Sequence, residues 1–183
     1  MVSLTEASVS PTSFIGPFAE DFLITPGNAG ELSTSLMVYN YLSGPEKTFY
    51  NSPIGYVDVR DVAAAMVGGV KVKGNHRLLL TGEWFDLADA LEHIATTRPE
   101  VASRLVKAGP SGQNRSIMDN KKALEVLGIT ITPWKKTIDE GLDALLRLEK
   151  DWTEQGIDLT PLKDNVWVPF GDYGANAHVE FTD

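Results

Sequence analysis

Apolar residues recur at two spacings along this chain, and the spacing changes where turn residues fall. Val2, Leu4, Ala7 and Val9 read as a strand, but the interleaved Ser3, Thr5, Ser8 and Ser10 make it too polar to be buried on both faces, so one face or edge should meet water. Residues 16–34 carry Pro17, Pro26, Gly27 and Gly30, a loop that ends where Leu32, Leu36, Tyr39, Tyr41 and Leu42 set a short helical pattern closed by Ser43-Gly44-Pro45. Tyr56-Val57 then leads to Asp58 or Asp61 as helix cap, with Val62, Ala65, Met66 and Val70 expected on one buried face. Leu78-Leu79-Leu80, bounded by Gly74 and Gly82, predicts a strand buried on both faces. Behind Asp86, Leu87, Ala90, Leu91 and Ile94 predict a helix that Arg98-Pro99 stops.

After an extended stretch, Asp119 is expected to cap the helix NKKALEVLG, which Gly128 ends in a left-handed conformation. A last helix from about Thr137 to Trp152 places Ile138, Leu142, Leu145 and Trp152 on one stripe. From Gly156 the periodicity stops. The tail keeps Trp167, Phe170, Tyr173 and Phe181, too aromatic for an ordinary disordered end. The chain therefore divides into a body, 1–155, and a tail, 156–183, expected to pack on the body or on a partner.

Composition narrows the chemistry. With 183 residues, 43% of them hydrophobic, one core is affordable and two large ones are not. Cysteine is absent, so disulfides, thiol nucleophiles and thiolate metal sites are excluded. A net charge of −9 without a basic cluster argues against nucleic acid as a partner. No apolar run reaches membrane-spanning length, and the first residues lack the pattern of a signal peptide, so a cytoplasmic protein is expected.

Four motifs fall in a telling order: SPTSFIGPF at 10–18, YVDVRDVAAA at 56–65, GNHRLLLTG at 74–82 and DNKKALEVLG at 119–128. Together they resemble the C-terminal half of an extended short-chain dehydrogenase/reductase, of the dihydroflavonol reductase, cinnamoyl-CoA reductase and aldehyde reductase branch. The resemblance covers about residues 2–150. It implies an α/β fold: a truncated Rossmann-type remnant with few strands, plus a mostly helical C-terminal substrate-binding region. The family's Gly-x-x-Gly-x-x-Gly turn, which brings backbone N–H groups to the pyrophosphate, has no counterpart here, nor has its Tyr-x-x-x-Lys pair. No cofactor and no metal is therefore expected to be bound by these residues.

In the family, the residues at Pro11, Thr12 and Ser13 lie beside the nicotinamide and the substrate. The resemblance thus implies Ser13, Phe14, Phe18, Phe22 and Ser35 as substrate-binding residues, with core packing or a turn as the plain alternative for each. Asp58, Arg60 and Tyr39 are the catalytic candidates, since a carboxylate, a cation and a phenol on one cleft wall can move protons. A capping carboxylate with an ion pair is the competing role for Asp58 and Arg60. His76 and His93 could each act as a general base near neutral pH, with an isolated surface histidine as the commoner reading, and His178 in the tail is no better supported.

The expected function is that of a small-molecule-binding protein on a hydrophobic metabolite, a cofactor-independent isomerase, cyclase or lyase. The alternatives are an inactive or partner-dependent fragment of an NADP-dependent reductase, or a non-catalytic binding or scaffold protein. Because the first strand would have one open edge, a homodimer aided by the tail, with Val166-Trp167-Val168 as a covering strand, is the expected assembly. An intact reductase is a further candidate partner.

Overall fold

In the computed structural model, residues 7–19, 22–51, 55–110, 116–160 and 162 are described. β1 (Ala7–Pro11) and β2 (Phe14–Ile15) lead through a 3₁₀ turn to α1 (Ser35–Asn40) and β3 (Thr48–Phe49). β4 (Val57–Asp58), α2 (Val59–Gly69), β5 (His76–Leu80) and α3 (Leu87–Thr97) follow. A second 3₁₀ segment, Pro99–Arg104, precedes β6 (Lys107–Ala108), α4 (Lys121–Leu127) and α5 (Trp134–Glu154).

Every strand pair among the described residues is parallel: β1 with β5, β2 with β4, β3 with β6. Parallel neighbours need a crossover connection, and here α1 and α2 lie between the strands they join, the arrangement of an α/β fold with few strands. The first two pairs abut. Thr12 N–H donates to the Leu80 carbonyl at 2.9 Å, and Val57 N–H to the Ser13 carbonyl at 3.1 Å, so the β1 to β2 line of chain is held first by β5 and then by β4.

Period-two alternation decides which face of the β1–β5 pair is wet. Leu78 and Leu80 are buried with Val57, Val62, Ala65 and Ala123, beneath α2 and α4. Ser8, Ser10, Arg77 and Leu79 point the other way and are exposed. The polar face expected for the first strand is thus present in Ser8 and Ser10, whereas Leu78-Leu79-Leu80 is buried on one face only. Leu79 keeps 37% of its surface because no described element covers that side. Met66 and Val70 depart likewise from expectation. They lie outside the arc of α2 that Val62 and Ala65 bury, and stand 59% and 87% exposed.

A second and larger core gathers around α5. Its buried stripe, Ile138, Leu142, Leu145 and Trp152, meets Ile15, Leu36, Tyr39, Leu42, Leu91 and Ile94. The helix runs from Trp134, a turn earlier than its apolar stripe announces, because Pro133 just ahead of it is preset for a helix start. Gly141 lets α5 cross the chain at Gly16, where an added Cβ would sit 3.3 Å from the Gly16 Cα. Gly82 is tighter still, with room for a Cβ only 1.9 Å from the Tyr56 carbonyl oxygen.

The capping residues behave as the sequence suggests. Asp58 accepts from Arg60 N–H at 2.8 Å and Asp86 from Ala88 N–H at 2.9 Å, and Gly128 is left-handed at φ 64°. Asp119 accepts from Lys121 N–H at 2.9 Å, one residue ahead of Asn120, which holds the cap position itself. The expected strand residues 2–6 and the tail from 163, including Val166-Trp167-Val168 and His178, lie outside the described residues.

Candidate functional site

In open parallel sheets ligands collect beyond the carboxyl ends of the strands. Here those ends are Pro11-Thr12-Ser13 and Leu80-Thr81, side by side. The Thr12 hydroxyl donates to the Thr81 hydroxyl at 3.4 Å, and the Asn120 amide donates to the Thr81 carbonyl at 2.6 Å, closing the floor from the α4 side. Ser13 and Phe14 follow on the rim. Thr34, in the turn before α1, donates its hydroxyl to the Phe14 carbonyl and so ties the helix to the rim.

The substrate-binding candidates divide into two groups. Phe14 and Phe22 are exposed and Phe18 is half-buried, with the rings of Phe18 and Phe22 stacked at 5.9 Å. Ser13 is half-buried. Ser35 instead is buried at the start of α1, in the packed interior.

Asp58, Arg60 and Tyr39 are not brought to one cleft wall. The Asp58 side chain is withdrawn from solvent and receives donors from three directions: Arg60 N–H and Nε at 2.8 Å, Arg60 Nη2 at 2.6 Å, and the Thr137 hydroxyl at 2.8 Å. Burial pushes the Asp58 pKa up, but the bonds from Arg60 and Thr137 outweigh it and hold the carboxylate below its ordinary range. Arg60 also reaches Glu140, so the knot fastens α2 to α5. Tyr39 lies elsewhere, buried in α1, and donates its hydroxyl to Glu149 at 2.9 Å, while Arg104 holds the same carboxylate at 2.8 and 3.0 Å. Burial, then the Glu149 charge, push this phenol well above the usual tyrosine range.

A third cluster went unread in the sequence. His93 on α3 faces both oxygens of Asp139 on α5 at 3.0 Å, so it is not an isolated surface histidine. Arg98 donates to Asp139 at 2.5 Å and to Asp143 at 2.8 Å. Trp134 meets the His93 ring edge-on at 5.7 Å and stacks on Phe85 at 4.8 Å, which in turn lies 5.7 Å from Tyr56. Arg98 was readable only as a helix stop before Pro99. The clue to its partners was that Asp139 and Asp143 sit four residues apart, on one side of α5. His76 has a simpler neighbour, the Lys73 carbonyl at 3.0 Å from Nε2.

A dinucleotide needs N–H groups at a helix start for its pyrophosphate. The starts of α2 and α3 are filled by the carboxylates of Asp58 and Asp86, with Asp61 and Asp89 in their first turns, and Asp119 takes the Lys121 N–H at α4. Repulsion there opposes a phosphate at α2, α3 and α4, whereas the starts of α1 and α5 carry no capping carboxylate. No three His, Asp or Glu side chains among the described residues gather as metal donors, and none of their helices is long and apolar enough to cross a membrane.

No family model matches the chain. It is 30% identical over 151 residues to the NADPH-dependent methylglyoxal reductase GRE2 of Saccharomyces cerevisiae, covering 78% of this chain and 43% of that protein. It is 29% identical over 154 residues to GRP2 of Candida albicans, which carries the name of an NADPH-dependent methylglyoxal reductase, over 79% and 44%. The fold matches the crystal structure of Candida albicans Gre2 with a TM-score of 0.67, at 20% identity over 78% of this chain and 44% of that one. It also matches the yeast methylglyoxal/isovaleraldehyde reductase Gre2 complexed with NADPH, with a TM-score of 0.66, at 24% identity over 78% and 43%. The chain spans less than half the length of the curated relatives it matches. With four motifs in order, a parallel α/β remnant and these relatives in agreement, the chain belongs to the extended short-chain dehydrogenase/reductase family, as a partial form of that fold.

Proposed function

We propose that this chain supplies the substrate-side half of an NADPH-dependent reductase of small aldehydes and ketones, and that it acts only together with a dinucleotide-binding half. The observation that carries this reading is the alignment with GRE2 over 151 residues, covering 43% of that reductase. The aspartate-filled starts of α2 and α3 support it, since neither of those helix ends offers a site to a phosphate. In this reading Thr12, Ser13 and Phe14 form the rim that faces the substrate, Phe18 and Phe22 give it an apolar wall, and Asp58 and Arg60 position α2 against α5. A cofactor-independent isomerase, cyclase or lyase finds no support among the relatives, whose names are those of reductases. Asp58 and Tyr39 also suit such a role poorly, because their partners already hold them.

The test follows NADPH absorbance at 340 nm with methylglyoxal or isovaleraldehyde as substrate. The chain alone should leave both reagents unchanged, and adding a separately produced nucleotide-binding half of GRE2 should start turnover. Consumption of NADPH by the chain alone would overturn the proposal, as would conversion of either aldehyde without nucleotide. So would a mixture that forms a complex and stays inert.

A further inference from the structure

Beyond α5 the chain turns back on itself. Gly156 is left-handed at φ 73°, Ile157 N–H donates to the Trp152 carbonyl at 3.0 Å, and Ile157, Leu159 and the buried Leu162 return to the core that α5 shares with α1. This return passes against the loop of residues 22–32, where a Cβ added at Gly27 would stand 3.0 Å from Ile157 Cγ2 and 3.6 Å from the Asp158 carbonyl oxygen. Glu31 braces the loop, accepting from the Thr25 N–H at 2.6 Å, the Thr25 hydroxyl at 2.9 Å and the Asn28 amide at 2.8 Å. The arm of the loop ahead of Thr25 is apolar and bare. Phe22, stacked on the half-buried Phe18, is exposed, and Leu23 beside it keeps 93% of its surface. Three large apolar side chains on a braced loop make a surface shaped for contact.

We infer that residues 166–173 of this chain, Val-Trp-Val-Pro-Phe-Gly-Asp-Tyr, dock on Phe18, Phe22 and Leu23 and cover the apolar wall of the rim. Five of these eight residues are apolar or aromatic, while Pro169 and Gly171 oppose a helix that could bury them by itself. The tether reaches. Even with the chain extended on both sides of the Gly27–Ile157 contact, Leu162 and Leu23 lie within about 38 Å of each other, and the eleven residues from Leu162 to Tyr173 span as much. The turn that Leu162 N–H closes on the Leu159 carbonyl at 3.1 Å shortens the gap further. A segment tethered this closely meets the wall at an effective concentration of about millimolar. A second copy fits less well, since it would bring another net charge of −9 to the contact. The consequence for catalysis rests on the function proposed above: with Phe18 and Phe22 as the substrate's wall, tail and substrate compete for one surface, and the tail holds it until an aldehyde displaces it.

Because the chain has no cysteine, pairs introduced into it report contact without background. The full chain carrying L23C and F170C is compared under mild oxidation with one carrying M66C and F170C, where Met66 is also exposed but lies on α2. Hydrogen exchange is read in parallel on the unchanged chain and on W167E/F170E. The first pair should close within one chain about tenfold faster than the second, and exchange at 18–24 should be roughly threefold slower in the unchanged chain than in W167E/F170E. Equal rates for the two pairs, exchange untouched by W167E/F170E, or a link found between chains would overturn the inference. With the nucleotide-binding half of GRE2 and NADPH added, W167E/F170E should lower the KM for isovaleraldehyde roughly threefold without changing kcat. An unchanged KM in a mixture that turns over would overturn the covering role. A mixture that reduces no aldehyde, while L23C and F170C still close, would leave the docking standing and sink the proposed activity instead.

Discussion

The Asp58 knot makes a quantitative prediction because its two charges are so unequally exposed. Asp58 is withdrawn from water, whereas 43% of the Arg60 side chain is exposed. In D58N the amide oxygen can still cap α2, and Thr137, 3.4 Å from the Pro133 carbonyl, can turn its hydroxyl there and accept from the new amide. What is lost is chiefly the pair of charge-assisted bonds to Arg60. Each is worth about 1.5–3 kcal/mol at full strength and much less at a guanidinium that water can reach, so D58N should cost about 2 kcal/mol. R60A should cost more, about 3 kcal/mol, because it leaves a buried carboxylate without its cation. The double variant should then also cost about 3 kcal/mol, since the second substitution removes the charge that the first stranded. Urea titration followed by circular dichroism measures all three, and D58N alone should lower Tm by roughly 4–8 °C for a chain of this size. Additive costs near 5 kcal/mol, or an R60A cost below that of D58N, would refute this account of the knot.

The same carboxylate predicts a pH dependence. Its folded pKa is lowered, so its contribution is present above the unfolded carboxylate value of about 3.9 and is lost as pH falls through the lower folded value; the stability gap between the unchanged chain and D58N should close below about pH 4 in parallel melts. G82A should prevent native folding, because its Cβ would meet the Tyr56 carbonyl oxygen at 1.9 Å with backbone on both sides; a cooperative melt near that of the unchanged chain would contradict this. Asn40 is buried and both its amide atoms lack a hydrogen-bond partner among the described residues, so N40L should raise stability by about 1–2 kcal/mol, and a lowered urea midpoint would show that the amide is bonded after all.

Local chemistry was the legible part of this molecule. Asp58 and Asp86 as caps, Gly128 as a left-handed stop and the apolar stripe of α5 each depend on neighbours within a turn or two, and each holds. The motif SPTSFIGPF also marked the end of β1, which the structure puts at Pro11. What escaped depends on layers. Whether Leu79, Met66 and Val70 are buried is settled by how many elements stack beside them, and an apolar residue facing a missing neighbour has the same letter as one facing a present one. Tyr39 with Glu149, and His93 with Asp139, join residues 110 and 46 positions apart, which no local period encodes.

The parallel pairs also set the order in which this protein can fold. Ala7 meets His76, Phe14 meets Val57 and Thr48 meets Lys107, so each strand must wait for a partner far down the chain. At roughly 5–20 residues per second of synthesis, the 69 residues that separate Ala7 from His76 take roughly 3–14 s. Through that interval the edge of β1 that β5 later fills stays open. A faster ribosome would shorten the time for which that edge can pair wrongly.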